Sequence, residues 1–172
     1  MISFRTATPS DSETIVELVN SAYRGESSKV GWTTEADLLE GTRTDLAHVL
    51  ELFQLPFSQI ELAFDRQMLI GCVHLKKENA ETLYFGMLTV KPSAQTSGIG
   101  KALIDRLEAI ARDWGCTRVR ITVIHLRSEL ISFYERRGYR ASGGIEAFHV
   151  NEAVFGRAKV PEIKLLEFIK AL

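Results

Sequence analysis

The chain has 172 residues, 45% of them apolar and 25% charged, with a formal net charge of −1. This composition suits one soluble globular domain with its own core, and it excludes a general electrostatic attraction to nucleic acid or anionic lipid. No run reaches the roughly 18 apolar residues that span a bilayer, and MISFRTATPSD has no basic start before an apolar run, so a cytoplasmic location and no membrane partner are expected.

The first residues, ISFRTAT, alternate and predict a strand. PSDSETIVELVNSAY then predicts a helix, with Ser10 as its cap and Glu13 completing a capping box. GESSKVG is polar and glycine-flanked, which predicts a loop; WTTEADLLEG reads as a short helix and RTDLAHVLELF as a longer one. SQIELAFDRQMLIGCVHLKK holds two alternating runs around Asp65 and Arg66, and TLYFGMLTVKP is another strand that stops at Pro92. Together these predict three adjacent antiparallel strands.

Further along, Ile99, Leu103, Leu107, Ile110 and Trp114 recur at steps of three and four, marking a helix of about fifteen residues that Gly115 can end. TRVRITVI is a strand rich in branched residues, SELISFYERRG a helix ended by Gly138, and YRASGGIEAF follows. PEIKLLEFIKAL has a mixed period, strand or helix, and could complete a sheet or support a homodimer contact. Cys72 and Cys116 lack the spacing of a metal site or a disulfide framework, so two reduced thiols and no metal are expected. The expected fold class is α/β (α+β): a mixed, mostly antiparallel sheet of six to seven strands with helices on both faces.

The stretch AQTSGIGKAL places Gly98 and Gly100 where the long helix begins, although glycine weakens helices. A helix start carries unpaired N–H groups and the positive end of the helix dipole, so a backbone bared there can hold a phosphate. Glycines that only make a turn would give the same pattern. The nucleotide-triphosphate loop is excluded, because Gln95 stands where it needs glycine and Ala102 where it needs Ser or Thr; the dinucleotide fingerprint is excluded by Leu103.

Four segments in order, LTVKP, QTSGIG from Gln95 to Gly100, RITVI and FYERRGY, give the chain a resemblance to the GCN5-related N-acetyltransferases, the GNAT family, over about Leu83 to Tyr139. The resemblance implies acetyl-CoA as co-substrate, its pyrophosphate held by backbone amides around Gln95, Ser97, Gly98, Ile99, Gly100, Lys101 and Ala102. It implies a pantetheine arm pairing with Leu88, Thr89 and Val90, and a V-shaped splay between the fourth and fifth strands with a second wall near Thr122, Val123 and Ile124. Val90 N–H is implied as donor to the thioester carbonyl and Tyr134 as proton donor to the leaving thiolate. A phenol with pKa near 10 can do this at neutral pH.

For the base, His125 is a candidate because imidazole titrates in the useful range. Glu61 and Glu81, near strand ends, are expected on the surface, and water could also relay the proton. Arg127 stands where many members have asparagine, so it could replace a cofactor contact, reach a phosphate or an acidic group of the substrate, or be a solvated arginine or part of a surface ion pair. Trp32, Glu35 and Asp37 could bind a cationic amine through ring face and carboxylates, though helix capping and core packing explain the same residues. The expected activity is acetylation of a primary amine on a small or amino-acid-like molecule by direct attack on the thioester. The alternatives are acetylation of a protein or peptide, and a non-catalytic acetyl-CoA-binding module; nucleic acid is not expected as a partner.

Overall fold

The computed structural model describes residues 1–148 and 156–172. Its frame is a mixed sheet of seven strands: β1 (Ile2–Thr6), β2 (Ser58–Asp65), β3 (Met68–Lys77), β4 (Thr82–Val90), β5 (Arg118–Ile124), β6 (Arg140–Ala147) and β7 (Lys164–Ala171). The spatial order is β1-β2-β3-β4-β5-β7-β6, and only β4 and β5 run parallel. The hairpin predicted around Asp65 and Arg66 joins β2 to β3, and the register Ile60↔His74 continues through Leu75↔Phe85 into β4. The mixed-period C-terminal segment is a strand, β7, inserted between β5 and β6.

Among the described residues five helices connect and cover the sheet: α1 (Ser12–Tyr23), α2 (Gly25–Ser28), α3 (Leu46–Gln54), α4 (Ile99–Asp113) and α5 (Ser128–Glu135). On one face, α1 and α3 bury Ile15, Val19 and Val49 against Ile60, Leu62 and Cys72. On the other, Leu103, Ile104 and Leu107 of α4 meet Val73, Leu75, Leu83 and Phe85. A fully buried leucine contributes roughly 1.5–3 kcal/mol, so the three-and-four spacing of α4 fixes which side faces the sheet. Gly115, at φ 76°, follows the helix where its period runs out.

Several local expectations are corrected. The first helix begins earlier, with the 3₁₀ turn Pro9–Asp11, and the reciprocal cap is Thr8 with Asp11, whose carboxylate accepts the Thr8 amide at 2.8 Å; Pro9 presets that turn. GESS forms the one-turn helix α2. The segment 32–41 is a series of turns rather than a helix, because Glu35 N–H is taken by Tyr23 O at 3.0 Å and Leu39 bridges to Ala158. Glu61 is fully buried, accepting from Thr6, Gln59 and Arg106, whereas Glu81 is exposed beside Arg118. Among the described residues no helix is long and apolar enough to cross a membrane, and no group of three or more His, Cys, Asp or Glu side chains could hold a metal.

Candidate active site

β4 and β5 pair over only three positions, Thr82↔Arg118 to Tyr84↔Arg120. Past them β5 keeps β7 as its partner from Ile121↔Phe168 to Ile124↔Leu165, so the strands part and a gap opens in the sheet. A register shift opposite Cys72 and His74, with Met87 at φ 52°, bends β4 at the same level. Lys91 N–H bonds Ile70 O at 2.8 Å, so Lys91 turns toward β3. Peptide groups alternate along an extended strand, which turns Leu88 and Val90 toward the gap.

The chain leaves β4 through the 3₁₀ turn Pro92–Ala94 and enters α4 by two left-handed residues, Thr96 (φ 71°) and Gly98 (φ 81°). The two glycines have different reasons. Gly98 is the helix cap, its φ favours glycine, and a Cβ there would meet nothing within 4 Å, so the space above it is open. Gly100 makes room: a Cβ would lie 3.3 Å from Phe133 Cζ. Ala102 N–H makes the first intrahelical bond, to Gly98 O, which leaves the amides of Ile99, Gly100 and Lys101 without partners inside the helix.

Two cavities meet in the gap. The first, about 370 Å³, runs from β4 over this cradle and includes Leu88, Thr89, Val90, Gln95, Gly98 and Ile99 in its wall. Gly100, Lys101, Arg127, Tyr134 and Trp32 complete the expected residues that line it; Ser97 and Ala102 do not. The second, about 340 Å³, lies between Tyr84, Gly86 and Met87 of β4 and the β5 stretch Ile121 to Ile124, so Thr122, Val123 and Ile124 line it. Tyr23, Leu88, Arg127, Leu130 and Tyr134 belong to both walls.

Tyr134 is 2% exposed, held edge-on by Phe85, Phe133 and Tyr139 at ring-centre distances of 5.9, 5.3 and 5.8 Å. Its hydroxyl has no hydrogen bond among the described residues. Burial pushes its pKa upward, so the phenol stays protonated at neutral pH. Tyr23, whose pKa burial pushes up to about 12, donates to Leu88 O at 2.7 Å. The guanidinium carbons of Arg43 and Arg127 lie 5.4 and 5.8 Å from the Tyr23 ring centre.

Arg127 is neither solvated nor at a surface ion pair. Its Nη1 meets Glu35 Oε1 at 3.1 Å, and its Nη2 donates to Thr33 Oγ1 at 2.6 Å. Glu35 receives Arg24 Nε on its other oxygen at 3.2 Å, so this carboxylate is shared by two buried guanidiniums and sits in the second cavity wall as part of an ion triad. Trp32 lines the first cavity, packed on Phe133 at 5.7 Å. Asp37 lies outside both cavities, its side chain 80% exposed and 3.5 Å from Lys29. His125 also lies outside both, its Nδ1 3.1 Å from the Lys164 amide.

The sequence reading missed Tyr23, Arg24, Arg43, Phe133, Arg136 and Arg137. The last two lie two and three positions after Tyr134 and add cationic side chains to the first cavity, so FYERRGY carried that signal in full view. Arg137 stacks on the Phe133 ring at 3.4 Å and donates to Phe133 O at 2.7 Å.

Comparison with solved structures finds the same fold over nearly the whole chain. A GNAT family acetyltransferase from Elizabethkingia anophelis with acetyl-CoA bound aligns with TM-score 0.65 and 17% identity, over 99% of this chain and 98% of that one. The yncA protein from Salmonella typhimurium, with its cofactor acetyl-CoA, gives 0.69 and 20% over 100% and 94%. The ribosomal-protein-S18-alanine N-acetyltransferase from Escherichia coli gives 0.72 and 11% over 99% and 94%. No curated protein matches the sequence. The family model described as Acetyltransferase (GNAT) family matches residues 15–139, a span that holds the cradle, the gap and Tyr134, and the chain therefore belongs to the GNAT family of acetyltransferases.

Proposed function

We propose that the protein transfers the acetyl group of acetyl-CoA to the primary amine of a small, amino-acid-like molecule. The observation that carries this reading is the Tyr134 hydroxyl, protonated, free of hydrogen bonds among the described residues, and placed where the two cavities meet. The first cavity suits acetyl-CoA. Bare helix-start amides at Gly98 to Lys101 can take the pyrophosphate, Lys101, Arg136 and Arg137 add positive charge, and the gap-facing Leu88 and Val90 offer peptide groups to an amide-bearing arm. Bound there, acetyl-CoA supplies an activated thioester. Val90 N–H is assigned to stabilise negative charge on the thioester oxygen, and Tyr134 to protonate the sulfur that leaves.

The second cavity is assigned to the acceptor. Its volume of about 340 Å³ fits a small molecule better than a peptide. Both carboxylates in its described wall face arginines, Glu35 with Arg24 and Arg127, Glu146 with Arg120 at 3.0 Å. In the described wall Arg24, Arg43 and Arg127 stand against Glu35 and Glu146, which suits an acceptor with an anionic group near its amine, and aliphatic Ile121, Val123 and Leu165 suit an apolar side chain.

The test is a melting titration with acetyl-CoA, dephospho-CoA and adenosine diphosphate, followed by thiol release with amino acids, their decarboxylated amines and short peptides. At about 100 times its dissociation constant, a ligand of the folded state adds roughly 2.7 kcal/mol, about 5–11 °C for a chain of this length. Saturable stabilisation with amino-acid-dependent thiol release is expected. A folded protein that acetyl-CoA does not stabilise refutes the reading, and release with peptides alone refutes the small acceptor.

A further inference from the structure

Gln95 opens the cradle, yet its side chain turns back along β4. Its Nε2 donates to Val90 O at 3.1 Å, and its Oε1 accepts the Trp32 amide at 2.9 Å. The loop seats closely: a Cβ on Gly31 would lie 2.3 Å from Gln95 Oε1 and 2.7 Å from Cδ, so the bare backbone of Gly31 lets the carboxamide rest against it. Beyond that bond, the 40% exposed Trp32 rests on Phe133, which itself covers Gly100. Thr33 is fixed differently, accepting from Arg127 and donating to Glu129 Oε1 at 2.9 Å. Gly31 and Trp32 thus form a flap beside the first cavity, anchored at Thr33 and, through Gly31 N–H to Ser28 O at 3.1 Å, at the end of α2, and tied to the cradle by one carboxamide.

That carboxamide depends on Val90 O, a peptide oxygen facing the gap. An amide-bearing arm laid along β4 needs the same oxygen and the space Gln95 fills. We propose that Gln95 is a latch worked by acetyl-CoA: the arm's amide N–H takes Val90 O, Gln95 swings away and releases Trp32 N–H, and the flap lifts about Thr33. Gln95 is then a positioning residue acting through Trp32, distinct from the backbone role of the cradle. The inference rests on the acetyl-CoA reading above. The latch also holds the cavity closed against the ligand, so removing the carboxamide favours binding.

Hydrogen exchange at the Trp32 amide tests this in the full chain, with and without saturating acetyl-CoA, beside calorimetry of binding. In the free protein this amide exchanges slowly; with acetyl-CoA it exchanges at least ten-fold faster, opposite to the protection ligands usually confer. In Gln95→Ala it is fast in both states, and acetyl-CoA binds about three- to ten-fold more tightly. Calorimetric binding with Trp32 exchange unchanged or slowed overturns the latch and leaves the acetyl-CoA reading standing. Absence of binding overturns both. The unmodified protein decides the matter even if the variant does not fold.

Discussion

His74 gives the sharpest test of the packing beneath the site. It lies on β3, 6% exposed, and its Nε2 is 2.8 Å from Ser58 Oγ. Ser58 donates to Leu52 O at 2.9 Å, so the imidazole serves as the donor to Ser58. Burial, with smaller contributions from His48, Lys76 and Arg43, pushes its pKa down from 6.5 to about 4. The folded state therefore holds the neutral ring while the unfolded chain takes a proton from about pH 6.5 downward. Its contribution is complete above pH 6.5 and is lost as pH falls toward 4, at up to about 1.4 kcal/mol per pH unit and about 3 kcal/mol in all. Urea unfolding at half-unit steps from pH 7.5 to 5, where most carboxylates stay ionised, measures the slope. His74→Gln keeps a donor near Ser58 and removes the titration, so its stability should fall less steeply by about that slope. His48, whose pKa burial also lowers, is present in both proteins and cancels. Equal slopes would refute the buried neutral histidine.

Two further outcomes bear on the site. Tyr134→Phe should melt within about 2 °C of the parent, since no hydrogen bond is lost, while thiol release falls about ten-fold, equivalent to about 1.4 kcal/mol in the transition state; an unchanged rate would remove the hydroxyl from the chemistry. Gly98→Ala meets no atom within 4 Å but must hold φ 81°, costing about 1–2 kcal/mol and roughly 2–8 °C in melting temperature, and its Cβ projects over the cradle. Calorimetry should therefore show weaker acetyl-CoA binding than in Gly100→Ala, whose methyl faces Phe133 instead. The reverse ranking would place the anion elsewhere.

The legible parts of the fold were those set by local repetition. The runs punctuated by Asp65, Arg66 and Pro92 gave β2, β3 and β4, and three-and-four spacing gave α4, whose stripe of Ile99, Leu103, Leu107 and Ile110 is buried throughout. The illegible parts depend on distant partners. ADLLEG has helical composition, yet residues 32–41 turn because Glu35 answers Arg24 and Arg127, eleven and 92 positions away. β7 looked mixed because it lies between two strands with both faces half-covered, so neither period dominates. Glu61 looked superficial because its cation, Arg106, comes from α4.

The site divides the same way. The cradle is a local device, since a strand end, two left-handed residues and a helix start suffice, and its residues could be named from one ten-residue stretch. The wall between the cavities is assembled from the end of α1, the turn 33–35 and the start of α5, and no spacing in the chain announces it. Arg127 illustrates the difference. Its place before FYERRGY suggests a cation for phosphate, but Thr33 and Glu35 hold it on the boundary, and Glu35 is in turn balanced by Arg24. Burying three charges is weakly stabilising at best, since desolvation offsets most of the attraction. What the triad provides is position. It fixes the turn that carries Trp32 to the same helix that carries Tyr134, so the flap's anchor and the proton donor share one rigid support while only the Gln95 carboxamide spans to the cradle.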